Sequence, residues 1–151
     1  MNIAELLDPS CILVPLEAAN PTGAITELVD ALASAGKITD RDSVLEAILA
    51  REQTRSTGIG EGLAVPHGKS RGCPKLTLAV GKPTTPVDFA SKDGKPCEIV
   101  FLLASPMDEM GPHIQALARI SRIWLTASFR DAARTAQSAQ DLHNIIVDHQ
   151  T

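Results

Sequence analysis

Apolar positions recur at helical spacing toward both ends of the chain and at strand spacing in its middle. Ile25, Leu28, Val29 and Leu32 share one helical face, with Thr22 placed to cap the helix and Gly36 to stop it. The Thr39-x-x-Asp42 box opens a second predicted helix, whose inner stripe runs Val44, Ala47, Ile48 and then Arg51. Leu63-Ala64-Val65-Pro66 reads as a short strand closed by proline. Leu76, Leu78 and Val80 alternate with Thr77 and Ala79, the pattern of a half-buried strand. Residues 99–104 are apolar without interruption, which predicts a central strand covered on both faces. Gly111-Pro112 opens a long helix bearing Ile114, Leu117, Ala118, Ser121, Trp124 and Leu125. A shorter helix is predicted over residues 129–137, and Ser138 with Asp141 caps a final one carrying Leu142, Ile145 and Ile146. Helix, helix, strands, helices makes an α/β (α+β) domain, a small mixed sheet flanked by helices. With no internal repeat, low-complexity tract or long linker, a single domain over residues 4–148 is expected.

Composition sharpens that picture. A chain of 151 residues buries roughly 68–70% of its unfolded surface on folding, enough for one core without metal or disulfide staples. Fourteen Lys and Arg against eighteen Asp and Glu give a net charge of −4, and no basic run offers a footprint for nucleic acid. No apolar run approaches the ~20 residues of a membrane span, and Glu5 and Asp8 interrupt any signal-peptide core, so a cytoplasmic protein is expected. Cys11, Cys73 and Cys97 are odd in number, far apart and without a C-x-x-C, the pattern of reduced thiols. Aromatic residues make up 3% of the chain, too few for platforms that stack bases or sugars.

Candidate chemistry gathers in Arg51-Glu-Gln-Thr-Arg-Ser56-Thr57-Gly58-Ile-Gly60-Glu-Gly62-Leu-Ala-Val-Pro66-His67-Gly68-Lys69-Ser70. It is not a P-loop, because Leu63 occupies the place of that motif's first glycine, and G-x-G-x-G after a helix is not a dinucleotide fingerprint. Alternating glycines let backbone N–H groups such as that of Gly58 approach an anion, and Ser56 and Thr57 add hydroxyls. Arg51 extends an inward stripe with a fork suited to a phosphoryl group. His67, stiffened by Pro66, carries an imidazole that is nucleophilic when neutral, and its reference pKa is about 6.5. His113 falls in the first turn of a predicted helix, where N–H groups and the dipole favour an anion. The residues alone leave two readings open: a phosphohistidine site, or a hydrogen-bonded structural histidine beside a tight glycine loop. An arginine placed like Arg51 is more often half of a salt bridge, here to Glu46 or Glu52, and Ser56 also reads as a turn residue.

The run Ser56-Thr57-Gly58-Ile59-Gly60-Glu61-Gly62-Leu63-Ala64-Val65-Pro66-His67-Gly68 resembles the signature of fructose/mannitol-type (type-2) enzyme IIA domains of the bacterial phosphoenolpyruvate-dependent phosphotransferase system. The resemblance extends to Arg51-Glu52, Pro86-Val87-Asp88-Phe89 and Pro112-His113, nearly the whole chain. His67-Gly68-Lys69 is most similar to the stand-alone nitrogen-regulatory branch, where sugar-specific members more often carry alanine after the histidine. Arg55, Glu61 and Leu63 depart from the commoner residues. The resemblance implies phosphorylation of His67 at Nε2 (tele) by an HPr-type carrier, with Arg51, Ser56 and His113 stabilising the transferred group. It implies no nucleotide or metal cofactor. A nitrogen-regulatory relay acting on target proteins is the expected output, since 151 residues hold no IIB or IIC partner. A sugar-uptake IIA passing phosphate to a separate IIB protein, and a regulatory binding module that is never phosphorylated, are the alternatives.

Overall fold

The computed structural model describes residues 1–150. The elements are β1 (Leu7–Leu16), α1 (Pro21–Ser34), α2 (Arg41–Thr54), β2 (Gly58–Gly60), β3 (Leu63–Ala64), β4 (His67–Lys69), β5 (Thr77–Pro83), β6 (Ile99–Ser105), α3 (Met110–Leu125), α4 (Ala127–Thr135) and α5 (Ala139–Asp148). The strands form one mixed sheet in the order β1-β5-β6-β3-β2, with β4 also pairing to β6. β6 is the central strand, antiparallel to β5 and parallel to β3 and β4.

The uninterrupted apolar run of β6 is explained by burial on both faces. Ile99, Phe101 and Leu103 join a core with Ile120, Trp124, Phe129, Leu142 and Ile146 of α3, α4 and α5. Val100, Leu102 and Ala104 join a second core with Ile25, Leu28, Val29, Leu32, Val44 and Ile48 of α1 and α2. Alternation with period two sends neighbouring residues to opposite layers, so a strand enclosed by helices has no polar side.

Three local expectations are corrected. α1 is capped by Asn20, whose side chain accepts the Gly23 N–H at 2.8 Å with Pro21 opening the helix, so Thr22 lies inside it. α2 is capped by Asp40, which accepts from Ser43 N, because the Thr39 N–H and hydroxyl both donate to the Gly72 carbonyl. The ten-residue strand β1 has no counterpart in the sequence reading, since Pro9 and Pro15 interrupt its pattern. It lies at the sheet edge with irregular register against β5, where missing N–H groups are tolerated. The three cysteines are free and buried. No helix among the described residues is long and apolar enough to cross a membrane.

Candidate active site

β4 is three residues long, but its pairing positions the chemistry. His67 lies beside Leu103, Gly68 beside Ala104 and Lys69 beside Ser105. His67 and Lys69 therefore share the sheet face covered by α3, while Gly68 faces α2. A Cβ on Gly68 would come within 3.0 Å of Ile48 Cγ1 and 3.1 Å of Ile48 N, so the glycine lets α2 lie directly on the strand. That contact carries Arg51, one turn beyond Ala47, to the sheet edge. From the other face α3 begins just after β6 and brings His113 to the same place. The outcome is a recess of about 320 Å³ lined by Ala47, Arg51, His67, Gly68, Lys69 and His113. It runs along β4 at the edge of the sheet, beside the carboxyl end of β6.

Each side chain is held differently. His67 Nδ1 is 2.8 Å from the Val65 carbonyl oxygen, which can only accept. The neutral ring consequently carries its proton on Nδ1 and a lone pair on Nε2. His113, only 5% exposed, has Nδ1 on the hydroxyl of Ser105. The two rings meet edge to face, with centroids 5.3 Å apart and planes at 61°. Arg51 Nη1 donates to the Arg55 carbonyl at 2.8 Å, closing the end of α2, and makes no ion pair among the described residues. Most of its fork remains available to an anion.

Burial, followed by the charges of Arg51 and Lys69, lowers the His67 pKa, although the Val65 bond and Glu52 oppose the shift. Burial, the neighbouring His67 and Lys69 push His113 down to about 4. Both imidazoles are therefore neutral near pH 7 in a cationic recess.

The glycine-rich loop is a different object. The Ser56 hydroxyl donates to the Phe89 carbonyl and accepts the Gly58 N–H at 3.0 Å. Thr57 gives both its N–H, at 3.0 Å, and its hydroxyl to the Glu52 carboxylate. The Glu61 N–H donates to Asp93 at 2.8 Å, and Gly60 and Gly62 take φ of 108° and 89° to make the turn between β2 and β3. The structure thus brings Arg51, His67 and His113 together, whereas Ser56, Thr57 and Gly58 do not line the recess and have their donors engaged by Phe89, Glu52 and Ser56. Glu52, the expected alternative partner of Arg51, is the anchor of Thr57.

The family model for the phosphoenolpyruvate-dependent sugar phosphotransferase system, EIIA 2, matches residues 5–149. The chain belongs to this family. This EIIA domain is 33% identical over 148 residues to a nitrogen regulatory protein of Bradyrhizobium diazoefficiens, covering 97% of the chain and 95% of the relative. It is 37% identical over 149 residues to the fructose-specific EIIABC component of Bacillus subtilis, covering 99% of the chain but 24% of that protein's length. The crystal structure of the nitrogen regulatory protein IIA-Ntr from Neisseria meningitidis superposes with a TM-score of 0.87 at 30% identity, covering 95% of this chain and 98% of that one.

Within the EIIA domain, the sequence reading passed over two contributors. Lys69 lines the recess and adds a second cation; its alternation with His67 on one face was visible only once β4 was known to be a strand. Ser105 closes the continuous apolar run, and no local signal connects it to a histidine eight residues later. The recess offers a lone pair on a neutral imidazole, a guanidinium fork, an ammonium group and a second imidazole. That combination suits nucleophilic attack on an anionic centre followed by charge stabilisation.

Proposed function

We propose that His67 Nε2 accepts a phosphoryl group from the phosphohistidine of an HPr-type carrier, and that this EIIA domain works in the cytoplasm as a nitrogen-regulatory relay. The donor's N–P bond breaks as the Nε2–P bond forms, and the electron pair returns to the donor imidazole. Arg51 and Lys69 neutralise the phosphoryl oxygens, and His113 donates to one of them. In-line transfer of this kind asks for alignment and charge stabilisation more than for acid–base work. The observation that carries the proposal is the Val65 carbonyl on His67 Nδ1, which leaves the Nε2 lone pair facing a cationic recess. A protein donor is favoured by the apolar side chains beside His113: Met107, Met110 and Ile114 are all more than half exposed.

The nitrogen-regulatory output rests on relatives of that name which match over nearly their whole length. A second output, delivery of the phosphoryl group to a IIB partner in sugar uptake, is favoured by the fructose-specific relative. Intact-protein mass after incubation with phosphoenolpyruvate, enzyme I and an HPr-type carrier tests the common step. One added phosphoryl group is expected, stable in base, labile in acid and absent from His67→Ala. Uptake by His67→Ala would overturn the assignment of that residue, and no uptake from several carriers would leave a binding module. Transfer onward to a purified IIB protein would move the output to sugar uptake.

A further inference from the structure

Two imidazoles in van der Waals contact are useful to phosphoryl transfer only when their protons lie on different nitrogens. One must offer a lone pair and the other an N–H, and His67 is committed to the first role by the Val65 carbonyl. His113 has no such carbonyl. Its Nδ1 meets the hydroxyl of Ser105, a group that can donate or accept.

The direction follows from burial. Ser105 is fully buried at the end of β6, and its hydroxyl has no partner other than His113 among the described residues. Were Nδ1 to donate, the hydroxyl proton would face the interior with no acceptor, an arrangement that native proteins avoid. With the hydroxyl donating, Nδ1 serves as acceptor and the single proton of the neutral ring sits on Nε2. The Ser105 backbone is itself fixed, since its carbonyl accepts the Ser70 N–H at 3.0 Å and β6 pairs on both sides. The hydroxyl is therefore presented from the central strand of the sheet.

From this geometry we infer that Ser105 is a positioning residue for phosphoryl transfer, holding His113 in the Nε2–H tautomer, opposite to that of His67, so that its N–H is aimed into the recess. The inference rests on the phosphoryl-transfer reading for its effect on rate, but not for its statement about the tautomer. Around metal-bound histidines, outer partners that fix the ring's tautomer are typically worth about ten- to a hundredfold, and the lower end of that range sets the scale expected for Ser105.

Long-range nitrogen–proton NMR correlation on the unphosphorylated protein reads the tautomer directly. Wild-type His113 is expected to show a protonated Nε2 and a bare Nδ1, with His67 the reverse. In Ser105→Ala the His113 signals should move toward a mixture of tautomers, and the initial rate of phosphoryl acceptance should fall about tenfold with His67 still in its Nδ1–H form. Ser105→Thr, which keeps the hydroxyl, should recover the tautomer and most of the rate. A wild-type His113 protonated on Nδ1 would overturn the inference whatever the variants do, as would Ser105→Ala with wild-type tautomer and rate. A chain that accepts no phosphoryl group but shows the Ser105-dependent tautomer would overturn the proposed function and uphold the positioning of His113.

Discussion

The glycine-rich loop and the recess are adjacent in sequence, and both look chemical there, yet they solve different problems. In the loop every notable donor is engaged: Ser56 with Phe89, Thr57 with Glu52, Gly58 with Ser56 and Glu61 with Asp93. In the recess, His67 and His113 each use one ring nitrogen internally, and Arg51 uses one nitrogen of its fork. The loop's hydroxyls and backbone N–H groups are satisfied partly by near neighbours, Glu52 and Ser56, and partly by Phe89 and Asp93 of the segment between β5 and β6. A functional site requires groups delivered from distant elements and left with unused valence.

Substitutions at Arg51 test the recess most severely. Arg51→Ala should lower the phosphoryl-acceptance rate about a hundredfold, or ~2.7 kcal/mol of transition-state stabilisation. Arg51→Lys should recover only part of this, because an ammonium group lacks the fork. Rapid-quench measurement of acceptance would check both, and a wild-type rate in Arg51→Ala would remove the guanidinium from the site.

Acid should weaken the recess more than the loop. Folding holds His113 at about 4 against an ordinary 6.5, so the unfolded chain takes up this proton first. The contribution is intact above about pH 6.5, falls as pH drops through that window and is fully lost below about 4, on the order of 3 kcal/mol. Urea denaturation at pH 7 and pH 4.5 should show this loss shrinking in His113→Gln. The acid limb of phosphoryl acceptance should likewise lie below the ordinary imidazole value, because the His67 pKa is lowered by burial.

Gly68→Ala probes the contact that delivers Arg51. The added methyl meets Ile48 at about 3.0 Å, including backbone that cannot turn away, so a loss of about 1–2 kcal/mol is expected in thermal or urea unfolding. Acceptance by the folded fraction should also slow, since α2 must shift. An unchanged rate would mean that Arg51 reaches the site independently of this packing.

The smallest effect belongs to the loop. Ser56→Ala removes one donor and one acceptor and should cost about 1 kcal/mol of stability, with the acceptance rate within about threefold of wild type. A tenfold loss of rate at near-native stability would return Ser56 to the phosphoryl-binding set, and with it the distinction between loop and recess.

By itself the sequence determined the helices with strong apolar stripes and the double-sided central strand, and it singled out His67 as the candidate phosphoryl acceptor. These are legible because periodicity reports burial and because Pro66-His67-Gly68 constrains its own backbone. It also singled out Arg51 and His113, from the inner stripe of one helix and the first turn of another. What it concealed was β1, whose prolines are permitted only because it is an edge strand, and β4, too short to carry a period. Only the tertiary structure decided that α2 and α3 converge on one edge from opposite faces, that Lys69 joins them, and that the glycine loop's donors face inward. It also assigned the ring nitrogens, because a tautomer is set by which carbonyl or hydroxyl lies opposite: the Val65 carbonyl, two residues before His67, and the Ser105 hydroxyl at the end of β6. Local sequence specifies conformation and burial, whereas reactivity depends on which polar atoms remain unsatisfied once distant elements have met.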